Sequence, residues 1–312
     1  MFGIYRAALI FIIIIAPVIT TAQEQAHRRI AVTIDDLPTQ RGDLNQMQKI
    51  TDRLLEQISE LNIPVVGFVN EGKLYRKDEL DERIALLRKW LDAGCELGNH
   101  TFSHQCNNEQ PVEAYEEDII RGENVLKMLM NEYERKLRYF RHPCLFTGPT
   151  AEYKQELDRF ISQHGYTVAP VTIDNSEWLI AAVYERALKD GRNNLADSVA
   201  LTYLPHMEAV MEHYEQMSTE FLGYELPQIL LMHANELNAV YFQDVVEMLQ
   251  LRGYEFISLE EALRDSAYTL PEVPKKWGIS WLHRWREAKG LAYDPEPDAP
   301  EWVMKLYQEK YR

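Results

Sequence analysis

A chain of 312 residues with 46% hydrophobic and 26% charged side chains has the makeup of a globular protein, with core enough for one large domain or two smaller ones. Its 49 acidic residues against 33 basic ones give a formal net charge of −16, which repels phosphate backbones and excludes nucleic acid as a partner. No basic amphipathic stretch offers adhesion to anionic lipid.

The first residues read as a targeting segment. Arg6 supplies a positive start, Ala7 to Ile19 an apolar run, and Thr20-Thr21-Ala22 a small-residue cleavage site. The run is short for a membrane span, so a signal peptide over 1–22 is expected, with an uncleaved anchor as the alternative. The mature chain is then exported to the periplasm or beyond, with no stable membrane insertion after cleavage. Cys95, Cys106 and Cys144 make an odd count for such a chain. One pair can form a disulfide; the sequence does not choose which, and the spacing fits no zinc-finger pattern.

From Arg29 the pattern alternates. Arg29–Ile34 is a β-branched run ending at Asp35-Asp36-Leu37-Pro38. Leu44 to Leu61 repeats apolar residues at helical spacing, with Asp43 as N-cap. Pro64–Val69 predicts a strand, Leu80–Ala93 a helix ended by Gly94, and Cys95–Leu97 a strand leading into His100. A single helix is expected from Ala114 to about Glu132, then a strand over Arg138–Arg141, a helix over Ala151–Gln163 and a strand over Thr167–Ile173. Two helical stretches fill Glu177–Met217, Gln228–Met232 is strand-like, Val240–Leu251 helical, and Phe256–Ser258 closes the series. Strands alternating with helices imply parallel pairing, and about seven units predict an α/β fold of the distorted, seven-stranded (β/α) barrel type. After Pro271 a Trp-rich stretch (Trp277, Trp281, Trp285, Trp302) reads as a tail over 271–312 packed on the barrel.

The polar residues that matter share a position. Asp35-Asp36, His100/His104, Arg141, Asp174 and His233 each follow the carboxyl end of an expected strand, the edge where parallel α/β folds build their sites. His100 and His104, four apart, can turn both imidazoles one way, and Asp36 supplies a third ligand for a divalent metal with open positions. Asp35 stays free to take a proton from water, and two adjacent acids after an apolar strand favour a cation between them. His233 is placed as general acid, Asp174 as the group bonding its ring, and Arg141 as the group orienting Asp35.

In this order these residues resemble the five motifs of the polysaccharide deacetylases, the NodB-homology group of carbohydrate esterase family four. Thr33-Ile34-Asp35-Asp36 is similar to the first, His100-Thr-Phe-Ser-His104 to the second, and Arg141-His142-Pro143 to the third. Asp174-Asn-Ser-Glu177-Trp178 resembles the fourth and Leu231-Met232-His233 the fifth. The resemblance implies a catalytic domain over 29–265 on a distorted (β/α) barrel. It further implies zinc, with cobalt or nickel as alternatives, removal of acetyl groups from a polysaccharide substrate, and an oxyanion contact from the backbone near Cys144. The sequence departs from the pattern at Leu37, at Cys144-Leu145 and at Glu177, all along the groove. The competing readings are an O-acetyl (xylan-type) or cyclic-amide hydrolase and a non-catalytic carbohydrate-binding protein.

Overall fold

A computed structural model describes residues 28–106, 110–276 and 278–311. The expected signal segment and Trp277 lie outside the described residues. The strands are β1 (Arg28–Leu37), β2 (Val65–Val69), β3 (Glu96–Asn99), β4 (Tyr139–Phe140), β5 (Thr167–Val168), β6 (Gln228–His233) and β7 (Tyr254–Phe256). The helices between and after them are α1 (Leu44–Glu60), α2 (Leu80–Asp92), α3 (Val112–Arg121), α4 (Asn124–Glu132), α5 (Ala151–Gln163), α6 (Glu177–Lys189), α7 (Asn193–Ala200), α8 (Tyr203–Leu222), α9 (Glu236–Leu251), α10 (Leu259–Ala262), α11 (Trp281–Ala288) and α12 (Glu301–Tyr311). No helix among the described residues is long and apolar enough to cross a membrane.

All strands pair in parallel in the order β5-β4-β3-β2-β1-β6, and β7 pairs with β1. Ile30 pairs with Gln228 of β6 and with Phe256 of β7, so β7 occupies the flank of β1 that β2 takes over from Val32. The sheet curls until its ends meet across the segment after β5. There the Ala169 amide donates to Phe140 O at one end, and Ile173 bridges Leu230 of β6 at the other. The expected strand over Thr167–Ile173 is therefore regular only at its first two residues. Pro170 lacks the N–H a ladder needs, and the chain changes partners there from β4 to β6.

The seven-stranded α/β barrel expectation agrees with this curled, distorted sheet. Alternation along the strands sets its two faces. Ile30, Val32 and Ile34 of β1 join the large core under the helices, while Ala31 packs with Phe68, Tyr139, Ala169 and Ile229 in a smaller cluster within the curl. Continuing at period two from Ala31 leads through Thr33 to Asp35, and from Ile229 through Leu231 to His233. The faces that build the inner core thus deliver both groups to one mouth.

Two helices differ from expectation. The single helix expected over Ala114–Glu132 is broken into α3 and α4 at Gly122. A Cβ there would stand 2.6 Å from the Thr101 carbonyl carbon, so the glycine lets the helix end press against the His100–His104 turn. The region from Glu177 holds three helices rather than two, since Gly191 at φ +69 ends α6. Farther on, α11 buries Trp281, Leu282 and Trp285, whereas Trp302 is largely exposed.

Candidate active site

At the carboxyl ends of the strands lies a pocket of about 360 Å³ lined by Asp35, Asp36, His100, His104, Asp174 and His233, among others. Arg141 stands just behind it, fully buried against Asp35. The structure thus brings all seven sequence-selected residues to one place. Five non-glycine residues here adopt positive φ: Asp36 (72°), Thr101 (63°), His104 (52°), Cys144 (51°) and Leu145 (51°). Such backbone costs of order 1–3 kcal/mol per residue and persists where surrounding contacts over-determine it.

Those contacts are visible around the histidine turn, which is a tight loop and not a helix. Asn70 Nδ2 donates to His100 O at 2.7 Å, and Asn99 Oδ1 accepts from the Thr101 amide at 2.8 Å. Asp118 Oδ2 accepts from Ser103 Oγ at 2.8 Å. His100 Nδ1 lies 2.8 Å from Arg141 O, which can only accept, so Nδ1 carries the hydrogen and Nε2 presents its lone pair. Burial, then the neighbouring His104, holds the His100 pKa well below its usual value, which keeps it neutral. Burial lowers the His104 pKa likewise.

His104 Nε2 is 3.4 Å from Asp36 Oδ1, and one ligand atom from each of Asp36, His100 and His104 lies within 4.8 Å of the others. Zinc bonds of ~2.0–2.1 Å in tetrahedral array separate ligand atoms by about 3.3 Å, so this nitrogen and oxygen set fits such an ion. Burial works to raise the Asp36 pKa, but Lys73 and the histidines outweigh it and keep the carboxylate ionised. Lys73, which the sequence reading did not select, holds Asp36 Oδ1 at 3.1 Å and also reaches Thr39 O at 3.2 Å. A second group, His104, Cys106 and Cys144, is close enough to share an ion, but Cys106 and Cys144 are joined as a disulfide. Cys95 is the free, buried thiol.

Asp35 is the other half of the pair. Its Oδ2 faces Arg141 Nη1 at 3.5 Å and His100 Nε2 at 3.6 Å, while its buried Oδ1 has no hydrogen-bond partner among the described residues. Arg141 is fixed in turn by donating to Thr33 Oγ1 at 2.9 Å. Burial pushes the Asp35 pKa up to about 6, against the pull of Arg141 and His233. That value suits a proton acceptor near neutral pH.

His233 departs from the expected arrangement. Its ring partner is Glu177, not Asp174: Nδ1 donates to Glu177 Oε1 at 2.8 Å. Glu177 opens α6 and is fully buried beneath β6, where it also accepts from the His233 amide, Asn235 Nδ2 and Asn238 Nδ2 at 2.7–3.0 Å. Burial would lower the His233 pKa, but the Glu177 charge and hydrogen bond lift it to about 9. In the sequence Glu177 does no more than open an otherwise apolar run, Trp178 to Val183. Asp174 instead accepts from the Asn175 amide at 2.9 Å, and burial, then Glu296, raises its pKa to about 7.

The pocket thus gathers carboxylate and imidazole groups from several strand ends, with the Arg141 guanidinium behind them. The model described as Polysaccharide deacetylase matches residues 22–169, just under half of the chain. The matched stretch carries Asp35, Asp36, His100, His104 and Arg141; Asp174 and His233 lie beyond it. Among solved structures, wild-type BA3943 from Bacillus anthracis, described as a CE4 family pseudoenzyme, is similar at 14% identity with a TM-score of 0.50, covering 77% of this chain and 66% of its own. A BA3943 mutant described as having restored enzymatic activity is similar at 15% identity and a TM-score of 0.50, covering 77% and 68%. At these identities the likeness is one of fold. No curated protein matches the chain.

Proposed function

We propose that this protein hydrolyses the acetamido group of N-acetylated sugars in a cell-envelope or extracellular polysaccharide, acting after export. The observation that carries the reading is Asp35, unpaired at Oδ1 and adjacent to the Asp36/His100/His104 ligand set, in one pocket with the Glu177-backed His233. A fold shared with a protein described as a pseudoenzyme does not decide activity; the side chains of the site do.

Asp36, His100 and His104 would hold a divalent ion, zinc first, with cobalt or nickel as alternatives. When bound, such an ion polarises a carbonyl and acidifies water. Asp35 accepts the proton of the attacking water at Oδ1, with Arg141 keeping the carboxylate oriented. His233, protonated below about 9, donates from Nε2 to the departing nitrogen, while Glu177 holds the ring through Nδ1. Water is added across the C–N bond, giving acetate and the free amino sugar.

The test is acetate release from N-acetylglucosamine oligomers and from acetylated xylan, each with zinc, with chelator and with Asp35→Asn. Release from the amino-sugar oligomers that chelator and the substitution abolish supports the proposal. Release from xylan alone would move the substrate to O-acetyl esters, and release unaffected by chelator would refute the role of the ligand set.

A further inference from the structure

Asp36 is held in place by neither of the strands beside it. β1 pairs with β6 only as far as Asp35, and its pairing with β2 jumps from Ile34 to Leu37. Asp36 therefore belongs to neither ladder, and its φ of 72° is one that residues with a Cβ rarely adopt. Its support has to come from outside the sheet.

That support is the turn after β2. Lys73 Nζ lies 3.1 Å from Asp36 O, 3.1 Å from Asp36 Oδ1 and 3.2 Å from Thr39 O, so each of the three ammonium hydrogens has an acceptor. One cation thus ties the main chain and the carboxylate of the same residue, which fixes both its backbone and the direction of Oδ1. Lys73 is held in turn: Arg83 donates to Lys73 O from Nη1 and to Glu79 Oε2 from Nη2, both at 2.7 Å.

The residues just before Lys73 grip the other half of the ligand set. Asn70 Nδ2 donates to His100 O, the Glu71 amide donates to Thr101 O at 3.3 Å, and the Gly72 amide donates to Phe102 O at 2.9 Å. Three successive residues thus engage three successive carbonyls of the histidine turn. A Cβ on Gly72 would stand 2.4 Å from Phe102 O, so the approach requires glycine. The buried Glu71 carboxyl group locks the turn to the start of α4, accepting from the Val125 and Leu126 amides at 2.9 and 3.2 Å.

We propose that Asn70, Glu71, Gly72 and Lys73 form a template that sets the spacing of Asp36 from the two histidines, with Lys73 the positioning residue for the carboxylate. The proposal rests on reading Asp36, His100 and His104 as one ion site. None of the four lines the pocket, so their influence passes through the residues they hold. Charge alone would give Lys73 the opposite role, since an ammonium 3.1 Å from Oδ1 repels a cation bound to that oxygen. The two roles differ in sign once the ammonium is removed.

The experiment measures zinc affinity of the mature chain and of Lys73→Met by competition with a chromogenic chelator. It also compares the visible absorption of the Co(II)-loaded proteins, which follows coordination geometry. The variant should lose about 10–100-fold in zinc affinity, the range for groups that orient a metal ligand, and its cobalt spectrum should differ from that of the wild type. A cooperative urea transition of ion-free Lys73→Met would show that affinity was lost without the fold. Gly72→Ala, which displaces the histidine half instead, should weaken zinc on the same scale. Zinc bound by Lys73→Met as tightly as by the wild type, or more tightly, overturns the positioning role, and so does an unchanged cobalt spectrum. Unaltered affinity in Gly72→Ala overturns the template's hold on the histidines. In each of these cases the wild type still binds its ion and the ligand-set reading stands; a wild type that binds neither ion removes that reading and the template with it.

Discussion

Replacing Glu177 with Gln removes the charge beneath His233 at nearly constant volume. In the wild type the pocket lifts the His233 pKa from 6.5 to about 9, which at ~1.36 kcal/mol per pH unit is roughly 3 kcal/mol in favour of the imidazolium. Glutamine Oε1 can still accept from His233, but its amide would face Asn235 Nδ2, 3.0 Å from the present oxygen, setting donor against donor. An unmade buried hydrogen bond of that kind costs about 1–3 kcal/mol. With the charge gone, burial is opposed only by Asp36 and Asp35, and His233 titrates below its wild-type value. The wild-type kcat/KM profile is expected to be bell-shaped, with limbs near about 6 for Asp35 and about 9 for His233, and a bound divalent ion would lower both. In Glu177→Gln the alkaline limb should move down from about 9, so activity at pH 8 falls while acetate release at pH 6 changes far less. The same pair affects stability. Because the folded-state pKa of His233 is raised, its contribution is fully present below about 6.5 and is lost as pH rises through about 9. The melting temperature of the wild type should decline over that window more than that of the variant. An alkaline limb that stays near 9 in the variant would refute the assignment of Glu177 as the source of the raised pKa.

Other substitutions probe the supports of the site. Arg141→Met strands buried Asp35 without its counter-charge, which should cost about 3–5 kcal/mol in chemical denaturation and shift the acidic limb upward, since Arg141 lowers the Asp35 pKa. Gly122→Ala drives a methyl group into the Thr101 backbone; loss of zinc affinity by calorimetry and about 1–3 kcal/mol of stability are expected, and an unaffected site would show that the histidine turn does not depend on this contact. Breaking the Cys106–Cys144 bond by Ser substitution at both positions opens a loop closed over 38 residues, so denaturant unfolding should reveal a loss of up to about 4 kcal/mol.

Much of the site was legible because buried parallel strands read as apolar runs, so the polar residues at their ends stood out. Asp35, Asp36 and His233 are of this kind: each follows an apolar run, alternation carries Asp35 and His233 to the pocket, and Asp36 joins them through its positive φ where the register of β1 shifts. What remained hidden depends on contacts between distant segments. Glu177 looks like an ordinary acid favoured in a first helical turn, and only the return of β6 above it makes it the partner of His233. The break at Gly122 is invisible in the apolar periodicity, because its cause is the backbone of Thr101. Lys73 reaches Asp36 from the turn after β2, and Gly278 and Glu296 arrive from beyond α10, where no spacing rule ties them to the pocket. The cysteine pair is likewise chosen by the approach of the His104 loop to the segment after Arg141.

The central claim is that Asp36, His100 and His104 form one ion site on which acetate release depends. Zinc stoichiometry, measured by elemental analysis after dialysis of the mature chain and of His104→Ala, tests it most directly when read beside acetate release from the same samples. The account predicts one zinc per wild-type chain, none retained by the variant, and activity that tracks bound zinc. A wild-type chain that binds no divalent ion, or a variant that keeps both ion and activity, would contradict it.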